Sequence, residues 1–348
     1  ISDTKKITRR RGYSMYYASG NIVAAFAVDD SFYVVDGSTL YRLASPTDVQ
    51  ILTTGLTGTK YSTDSVNGVG YYVNGVEAGI VQGSTHLPWR LTVPQISGVT
   101  AGGASTPATA YNVGQTYVTA RWRFCCTFET ADGRETAPSE IFELDAPPTT
   151  GMFTVSCSSA YAKTHYYVTE PDGTVFRRAA TGSGTMTIAP AQARRELTLL
   201  GTSSLPEGVE MIAVYKGWMY ASQYLPEADT SVIWRSKPLA FHLFDMEKDF
   251  FVVAGRTALM LWINEGMLIG TTDRVYQYDP ETGLNTLADY GVVPGLAGDT
   301  DAEGVGYFWT TRGICKAMPF ENITEKDVSM AAGQYATSRL VYLDGMKQ

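Results

Sequence analysis

ALMLWINEGMLIGTTDRVYQY (residues 258–278) is the stretch on which the fold prediction rests. Two apolar runs, 259–263 and 267–269, flank a turn that contains Gly266, and a second break at 271–274 precedes alternating Val, Tyr and Gln residues. Apolar runs separated by short polar, Gly-containing turns are typical of antiparallel strands. The stretch therefore predicts three short strands in a meander.

The same order of apolar run, turn and aromatic run recurs along the chain. Four further stretches follow it: 26–43, 64–81, 211–236 and 304–318. Aligning the first turn of each unit on Asp30, Gly68, Gly217, Gly266 and Gly304 gives steps of 38, 149, 49 and 38 residues. Three of these steps match the period of a four-stranded propeller blade. The other is too long by roughly 100 residues, which is about the size of one inserted domain.

Composition agrees with an all-β protein. Aromatic residues make up 12% of the 348 residues, there are 34 Gly, and no long run of helix formers occurs. The predicted fold is a β-propeller of five or six blades, interrupted by an Ig-like or fibronectin III-like β-sandwich. The predicted domains are 1–95 (first part of the propeller), 96–200 (sandwich with linkers) and 201–348 (second part of the propeller).

The insert is recognised by its strict alternation. In residues 116–140, one strand face would carry apolar residues at six alternate positions: Val118, Ala120, Trp122, Phe124, Cys126 and Phe128. Asp132-Gly133 and Pro171-Asp172-Gly173 are hairpin turn signals, and MFTVSCS (152–158) reads as another strand. Residues 96–115 are rich in Gly, Ala, Ser and Thr and are predicted to be a linker.

Three other segments complete the prediction. Residues 191–201 are a short helix candidate that reads equally well as linker, and 234–253 reads as a strand leading into a long connection between blades. We expect Tyr13–Tyr17 to pair with residues 338–345, because pairing the terminal strands closes a propeller and removes its exposed edges.

Charge and hydropathy exclude several functional classes. The net charge of −8 argues against a general nucleic-acid binder, which would need a basic face. No stretch approaches 18 apolar residues, so no membrane span is predicted. The polar, basic N-terminus does not read as a secretory signal. The four cysteines, Cys125, Cys126, Cys157 and Cys315, lack metal-type spacing and are expected to be buried and reduced in a protein made in a cytoplasm.

No catalytic or cofactor site is predicted. His86, His165 and His242 lie in three separate segments, which favours surface or core histidines over a shared site. The sequence 299–304 matches the opening of a calcium loop, but position 12 is Thr310 where that loop has a Glu, so an acidic turn is the better interpretation.

Carboxylates and tryptophans are the residues that could take part in sugar chemistry. A glycosidase propeller places paired carboxylates in its channel. The candidates lie at or near blade turns, where Asp is favoured for its local hydrogen bonds: Asp29, Asp30, Asp64, Asp273, Asp299, Asp301 and Glu303. The tryptophans could stack on sugars, but core packing explains most of them better: Trp89, Trp122, Trp218, Trp234, Trp262 and Trp309.

The order of motifs resembles a known class of proteins. KKITRRRGYSMYY (5–17), TADGRETAPSE (130–140), YASQYLPEADTSVIWRSKPLAFHLFD (220–245) and MLIGTTDRVYQYDP (267–280) together resemble virion β-propeller proteins of tailed bacteriophages. These include tail hub or nozzle proteins and head-to-tail adaptors, and the insert resembles the Ig-like domains that decorate phage tails. The resemblance implies a structural, non-enzymatic protein of the virion tail, made in the bacterial cytoplasm and without a cofactor.

The implied partners are other copies of the chain in a ring, with a hexamer expected, and neighbouring tail or connector proteins, while DNA passes through the ring. The basic cluster is the interface candidate, because the rest of the chain is acidic: Lys5, Lys6, Arg9, Arg10 and Arg11. If deletion of residues 1–11 left assembly unchanged, that assignment would be wrong. The alternatives are a receptor-binding or glycan-binding tail module that uses exposed aromatics on the sandwich, and a carbohydrate-degrading propeller enzyme.

Overall fold

The computed structural model describes residues 21–45, 47–57, 61–102, 119–148, 150–158, 161, 163–295 and 298–324. These residues form strands and one 3-10 turn, and none of them is in an α-helix. In the part of the chain so described, no helix is long and apolar enough to cross a membrane. The described residues divide into two compact units, one within 1–89, 206–241 and 249–348 and the other within 90–205 and 242–248.

The first unit contains five antiparallel sheets in chain order, which we call blades 1 to 5. Blade 1 contains β1 Ile22–Val28, β2 Ser31–Asp36, β3 Thr39–Ser45 and β4 Asp48–Thr54. Blade 2 contains β5 Ser62–Val66, β6 Val69–Val73, β7 Ala78–Gln82 and β8 Thr85–Pro88. Blade 3 contains β17 Val209–Tyr215, β18 Trp218–Leu225, β19 Thr230–Lys237, β20 Ala240–Phe244 and β21 Phe250–Ala254. Blade 4 contains β22 Thr257–Ile263, β23 Gly266–Thr271, β24 Val275–Asp279 and β25 Gly283–Ala288. Blade 5 contains β26 Gly298–Thr300, β27 Gly306–Thr310, β28 Gly313–Lys316 and β29 Glu321–Asn322.

All five predicted anchor turns are confirmed as the first hairpin of a blade. The turn at Asn67-Gly68 shows why these residues occur there, because its backbone φ angles are +50° and +75°. Two-residue hairpin turns need positive φ, which Asn and Gly adopt at the least steric cost. The turn residues therefore mark the position of the first hairpin of each blade in the sequence.

The blades follow one another in space as they do in the chain. First strands of successive blades are neighbours, β5 with β17, β17 with β22 and β22 with β26, and β1 of blade 1 contacts β6 of blade 2. Consecutive four-stranded meanders joined through their first strands make a β-propeller. The fold of this unit is therefore a β-propeller with five described blades. The predicted closing strands, 13–17 and 338–345, lie outside the described residues.

Apolar layers hold neighbouring blades together. Met260, Met267 and Ile269 of blade 4 share one buried cluster with Ile233 and Val253 of blade 3. The opposite face of blade 4 packs on blade 5 through a second cluster that contains Leu268 and Phe308. Blade 4 is thus apolar on both faces, as a sheet between two others must be.

The expected long connection after β19 is wrong. Residues 240–254 form two further strands of blade 3, and β21 pairs with the first half of β19 from Thr230↔Ala254 to Trp234↔Phe250. Side chains of β21 alternate between the two faces of the sheet, as in a paired strand. Phe251 stacks on Tyr278 at 4.2 Å between ring centroids, whereas Phe250 is exposed.

The second unit contains two sheets. The larger one has β10 Ala120–Glu129, β11 Phe142–Ala146, β13 Lys163–Val168, β14 Arg177–Gly182 and β16 Arg195–Glu196, in the order β11-β10-β13-β14-β16. The smaller one has β9 Ile96–Ala101, β12 Phe153–Cys157 and β15 Thr185–Ile188, in the order β15-β12-β9. A single buried cluster joins their inner faces, so this unit is a two-sheet sandwich. Its assignment to the Ig or fibronectin class stays a prediction.

The predicted alternation on β10 is confirmed. Five of the six predicted side chains are buried, and Val118 lies outside the described residues: Ala120, Trp122, Phe124, Cys126 and Phe128. The strand at 152–158 and the hairpin around 171–173 are confirmed as well, by β12 and by the pairing of β13 with β14.

Two predicted segments of the insert are wrong in part, the linker at 96–115 and the helix alternative at 191–201. The linker predicted at 96–115 is wrong at its start, where residues 96–101 form β9, and residues 103–115 lie outside the described residues. Val99 of β9 is opposite Val155 and is buried, because pairing with β12 holds this segment of small residues in a strand. The helix candidate at 191–201 instead contains part of the 3-10 turn Pro190–Gln192 and the strand β16. Leu197, which follows β16, packs into a small core with Cys125, and this contact favours the extended chain over a helix.

Candidate functional site

The sandwich contains a cavity of about 410 Å³, a volume typical of sites for small ligands. Its walls come from the ends of β10 and β13, the β13–β14 hairpin and the segment around the 3-10 turn. The lining residues are Trp122, Val168, Thr169, Glu170, Pro171, Arg177, Pro190, Ala191, Ala193 and Arg194. The site is thus built by a hairpin and a turn held on a rigid sheet.

Trp122 is the buried aromatic residue of this cavity. Its indole packs against Phe153 at 4.9 Å between ring centroids, and only 3% of the residue is exposed. The indole N–H is buried and has no hydrogen-bond partner. A buried donor without a partner costs free energy, so an acceptor that reached it in the cavity would bind favourably.

Charged side chains line the wall of the cavity. Arg177 donates to the carboxylate of Glu170 at 2.6 Å, and Glu170 keeps 76% of its side chain exposed. Arg194 donates to the backbone carbonyls of Ala191 and Ala193 at 2.8 and 3.1 Å, which fixes the guanidinium beside the 3-10 turn. The wall therefore offers planar donors and one carboxylate next to an apolar floor.

This arrangement can bind a small polar ligand by hydrogen bonds and stacking, but it does not assemble a nucleophile with a base. The alternation of β10 predicts a core position for Trp122, whereas no local pattern predicts the cavity. The signal that could have pointed to it is the pair of arginines at 194–195 following a proline, next to the Pro171 turn. Their proximity to Trp122 depends on strand pairing that no local pattern shows.

A second polar cluster lies on the first strands of the propeller blades. Ser62 of β5 bonds the backbone of Ile212 on β17, accepting from its N–H at 3.0 Å and donating to its carbonyl at 3.4 Å. Asp64, two residues on, accepts from the N–H of Val214 at 2.6 Å. Loss of hydration raises the pKa of Asp64 to about 6, against the opposing hydrogen bonds from Val214 and Ser65.

The same end of these strands borders a cavity of about 370 Å³. Arg256 and Glu210 line it and form a two-bond ion pair, with both N–O distances at 2.7 Å. Arg256 also lies over the ring of Tyr224, 5.6 Å from its centroid. The ion pair is satisfied within the chain, so it stabilises the contact between β17 and the start of β22.

The structure does not bring the three histidines together, and each has a partner of its own. His86 bonds the hydroxyl of Tyr72 at 2.8 Å, and burial lowers the pKa of His86. His165 bonds the carboxylate of Glu129 at 3.0 Å and the hydroxyl of Thr181 at 2.9 Å. His242 donates from Nε2 to the carbonyl of Glu135 at 2.9 Å, and burial lowers the pKa of His242 as well. The prediction that they are separate surface or core histidines is confirmed: His165 is buried, and His86 and His242 are half-buried.

The candidate carboxylates divide into turn and strand residues. Five lie in the first or second hairpin turn of a blade, as predicted: Asp29, Asp30, Asp273, Asp301 and Glu303. Asp64 and Asp299 lie in strands β5 and β26. Asp301 accepts from the N–H groups of Glu303 and Val305 at 3.0 and 2.9 Å, so it closes the turn that resembled a calcium loop. Within the described ranges, no three His, Cys, Asp or Glu side chains are grouped as metal ligands would be.

The predicted interface residues Lys5, Lys6, Arg9, Arg10 and Arg11 lie outside the described residues. The tryptophans can be placed: Trp89, Trp122 and Trp234 are buried, which confirms core packing, whereas Trp262 is 45% exposed. Trp89 donates its indole N–H to the carbonyl of Phe241 at 2.9 Å. Trp122 of the sandwich is therefore in the core, as predicted.

Comparisons with known proteins add little to these observations. No protein-family model matches the chain, and no curated protein matches it. Among solved structures, it is similar to hydrazine synthase of Kuenenia stuttgartiensis, with 9% identity over 89% of this chain and 80% of that one and a TM-score of 0.38. It is similar to the Pan2 WD40 domain of Neurospora crassa, with 8% identity over 87% and 76% and a TM-score of 0.32.

A third similar structure is the extracellular domain of the putative hybrid two-component system BT4673 of B. thetaiotaomicron, with 10% identity and a TM-score of 0.33. The match covers 88% of this chain and about a third of that one, 34%. With TM-scores below 0.5, these likenesses carry no argument about binding or activity. The propeller assignment rests on the blade topology of the chain itself.

Proposed function

We propose that this chain is a structural virion protein of a tailed bacteriophage, which forms part of the tail or the head-to-tail connector as a symmetric ring of copies. The order of its motifs supports this role, together with an acidic net charge of −8, which suits a channel through which DNA slides. In this proposal the protein acts by forming interfaces and carries out no chemical reaction.

The observation that carries the proposal is β21, one of the two strands that follow β19 at the outer side of blade 3. Among the described strands, β21 pairs only with β19, so its other edge presents backbone N–H and C=O groups. Phe250 and Val252, on one face of this strand, are 45% and 46% exposed. An edge strand with exposed apolar side chains is a template for pairing with another chain.

The outer strand of blade 1 repeats this arrangement. β4 pairs with β3 alone among the described strands, and Val49 and Ile51 on it are 42% and 59% exposed. Natural edge strands are normally protected by charges or proline, and these two carry apolar pairs instead. Two such edges on one propeller give each copy the two contacts that a closed ring needs.

The basic residues Lys5 to Arg11 supply a further contact in this proposal. Each copy is acidic overall, so a basic segment is attracted to the neighbouring copy and helps to orient it. This assignment stays a prediction from the sequence.

Light scattering on the full chain tests the proposal. Ile51→Lys and Val252→Lys each place a charge on one edge, and we expect either change to reduce the solution mass from a ring to smaller species. The control is Leu239→Lys, which changes a leucine that is 78% exposed in the turn between β19 and β20 and lies on neither edge. A wild-type chain that stays monomeric at every concentration, or edge variants with the wild-type mass, would contradict assembly through these strands.

The cavity of the sandwich favours a second candidate function, a binding module for a glycan or another small polar ligand. The specific observation is a cavity lined by Trp122, Arg177 and Arg194, together with the unpartnered, buried N–H of Trp122. Sugars present both acceptor oxygens and apolar faces, which match this set of groups.

A further inference from the structure

Two cysteines of the sandwich meet across its two sheets. Cys126 lies in β10 of the larger sheet, and Cys157 is the last residue of β12 in the smaller sheet. Their sulfur atoms are 2.6 Å apart, although the residues are separated by 31 positions in the sequence. This is closer than two sulfur atoms pack without a bond, and only about half an ångström more than the ~2.05 Å of a disulfide bond.

The strands around this contact explain why the two thiols face each other. Cys126 continues the inward face of β10 between Phe124 and Phe128, and Cys157 continues the inward face of β12 after Val155. The backbone holds both ends in place. The N–H of Cys126 donates to the hydroxyl of Ser139 at 3.0 Å, and the N–H of Cys157 donates to the carbonyl of Gly184 at 3.0 Å.

The other two cysteines are separated from this pair. Cys125 is directed to the opposite face of β10, where it packs in a small core with Tyr167 and Phe176. Cys315 lies in blade 5 of the propeller, 3.6 Å from the hydroxyl of Thr310. Any pairing within the chain is therefore selective for Cys126 and Cys157.

We infer that Cys126 and Cys157 form an intramolecular disulfide that links the two sheets of the sandwich when the protein meets an oxidising medium containing small-molecule disulfides. The thiols are reduced in the structure and in the cytoplasm where we expect the chain to be made. The link forms after the protein leaves that compartment.

The reaction is thiol–disulfide exchange and needs no other reagent. The Cys157 thiolate attacks one sulfur of the small disulfide and releases one thiolate, and the Cys126 thiolate then attacks the Cys157 sulfur and releases the second. One disulfide and two protein thiols become one protein disulfide and two small thiols. The hydrogen bond from Cys126 lowers the pKa of Cys157, and the same contact together with burial raises that of Cys126, so Cys157 is the first nucleophile.

Alkylation of the full chain tests this inference. The chain is treated with oxidised glutathione or with dithiothreitol, unfolded in denaturant with excess N-ethylmaleimide, and digested without reduction for mass spectrometry. We expect all four cysteines of the reduced sample to be alkylated, and only Cys125 and Cys315 of the oxidised sample. A peptide pair joined through Cys126 and Cys157 should appear in the oxidised sample alone and disappear when dithiothreitol is added back.

Two variants separate the pair from its neighbour. Cys125→Ala should keep the linked peptide, and Cys126→Ala should lose it without a new link to Cys125. In the wild type, oxidation should also raise the urea concentration at the midpoint of unfolding of the sandwich, because the disulfide restricts the conformations of the unfolded chain. Full alkylation of Cys126 and Cys157 after oxidation, or a link that involves Cys125, would overturn the inference. The wild-type peptide map decides it even if Cys126→Ala fails to fold.

Discussion

Ser62→Ala removes the side chain that joins blade 2 to blade 3 across the insertion. The serine hydroxyl bonds both the N–H and the carbonyl of Ile212, 150 positions away, at 3.0 and 3.4 Å. Ser62 is 5% exposed and Ile212 is 3% exposed, so water cannot readily replace these bonds. The variant leaves the backbone N–H of Ile212 buried and unpaired.

The magnitude follows from that N–H. An unsatisfied buried donor costs about 1–3 kcal/mol, and the longer bond to the carbonyl adds little, so we expect a loss of ~2 kcal/mol in the free energy of unfolding. For a domain of this size the melting temperature should fall by roughly 4–8 °C. The Ile212 amide should also lose protection against hydrogen exchange, because its bond to the serine is gone.

Urea unfolding of the full chain measures the loss, and hydrogen exchange at Ile212 locates it. The matched control is Ser65→Ala, an exposed serine on the same strand, which should change stability by no more than about 0.5 kcal/mol. If Ser62→Ala were as mild as Ser65→Ala and Ile212 stayed protected, the contact between β5 and β17 would not stabilise the propeller as described.

Two further predictions concern Asp64 and the sandwich cavity. The folded-state pKa of Asp64 is raised to about 6, so its contribution to stability is fully present below its unfolded pKa of 3.8 and is lost as pH rises through 6. Between pH 4 and 7, the free energy of unfolding of Asp64→Asn should therefore rise relative to that of the wild type, by up to about 3 kcal/mol, as measured by urea unfolding. Parallel pH profiles of the two proteins would contradict this. For the cavity, a glycan array probed with the full chain should show binding that Trp122→Phe weakens by about tenfold, since it deletes one buried donor, while Trp262→Phe does not. Absence of any bound glycan, or equal binding by Trp122→Phe, would contradict the second candidate function.

The blades could be predicted from sequence because their signals are local. Asn67-Gly68 and Lys216-Gly217 take the positive φ angles that a tight hairpin needs, and apolar runs flank each pair. Turn residues and strand alternation act over a few positions, so the repeat shows directly in the sequence.

Strands that form only because they pair with another strand could not be predicted from the sequence. β9 is made of Gly, Ser and Thr around Val99, and only its pairing with β12 makes it a strand of the sandwich. The same holds for β16, which has two residues and depends on β14. Composition alone described both as linker or helix.

The candidate sites depend on still longer-range contacts. The cavity brings Trp122 near the segment around Pro190, and the thiol contact joins Cys126 to Cys157 across two sheets. Alternation predicted that Cys126 points inward, but not which residue of the opposite sheet meets it. Alternation therefore predicts which side chains of a strand point into the core. Which residues of the opposite sheet they contact is known only from the structure.

Negative-stain images of the purified full chain test the central claim most directly, because a ring has rotational symmetry that a monomer lacks. We predict class averages of a closed ring with one fixed number of copies, sixfold in the expected case, with the ring lost in Ile51→Lys and Val252→Lys. Single particles without rotational symmetry at every concentration, or rings unchanged by both edge variants, would contradict a ring assembled through β4 and β21.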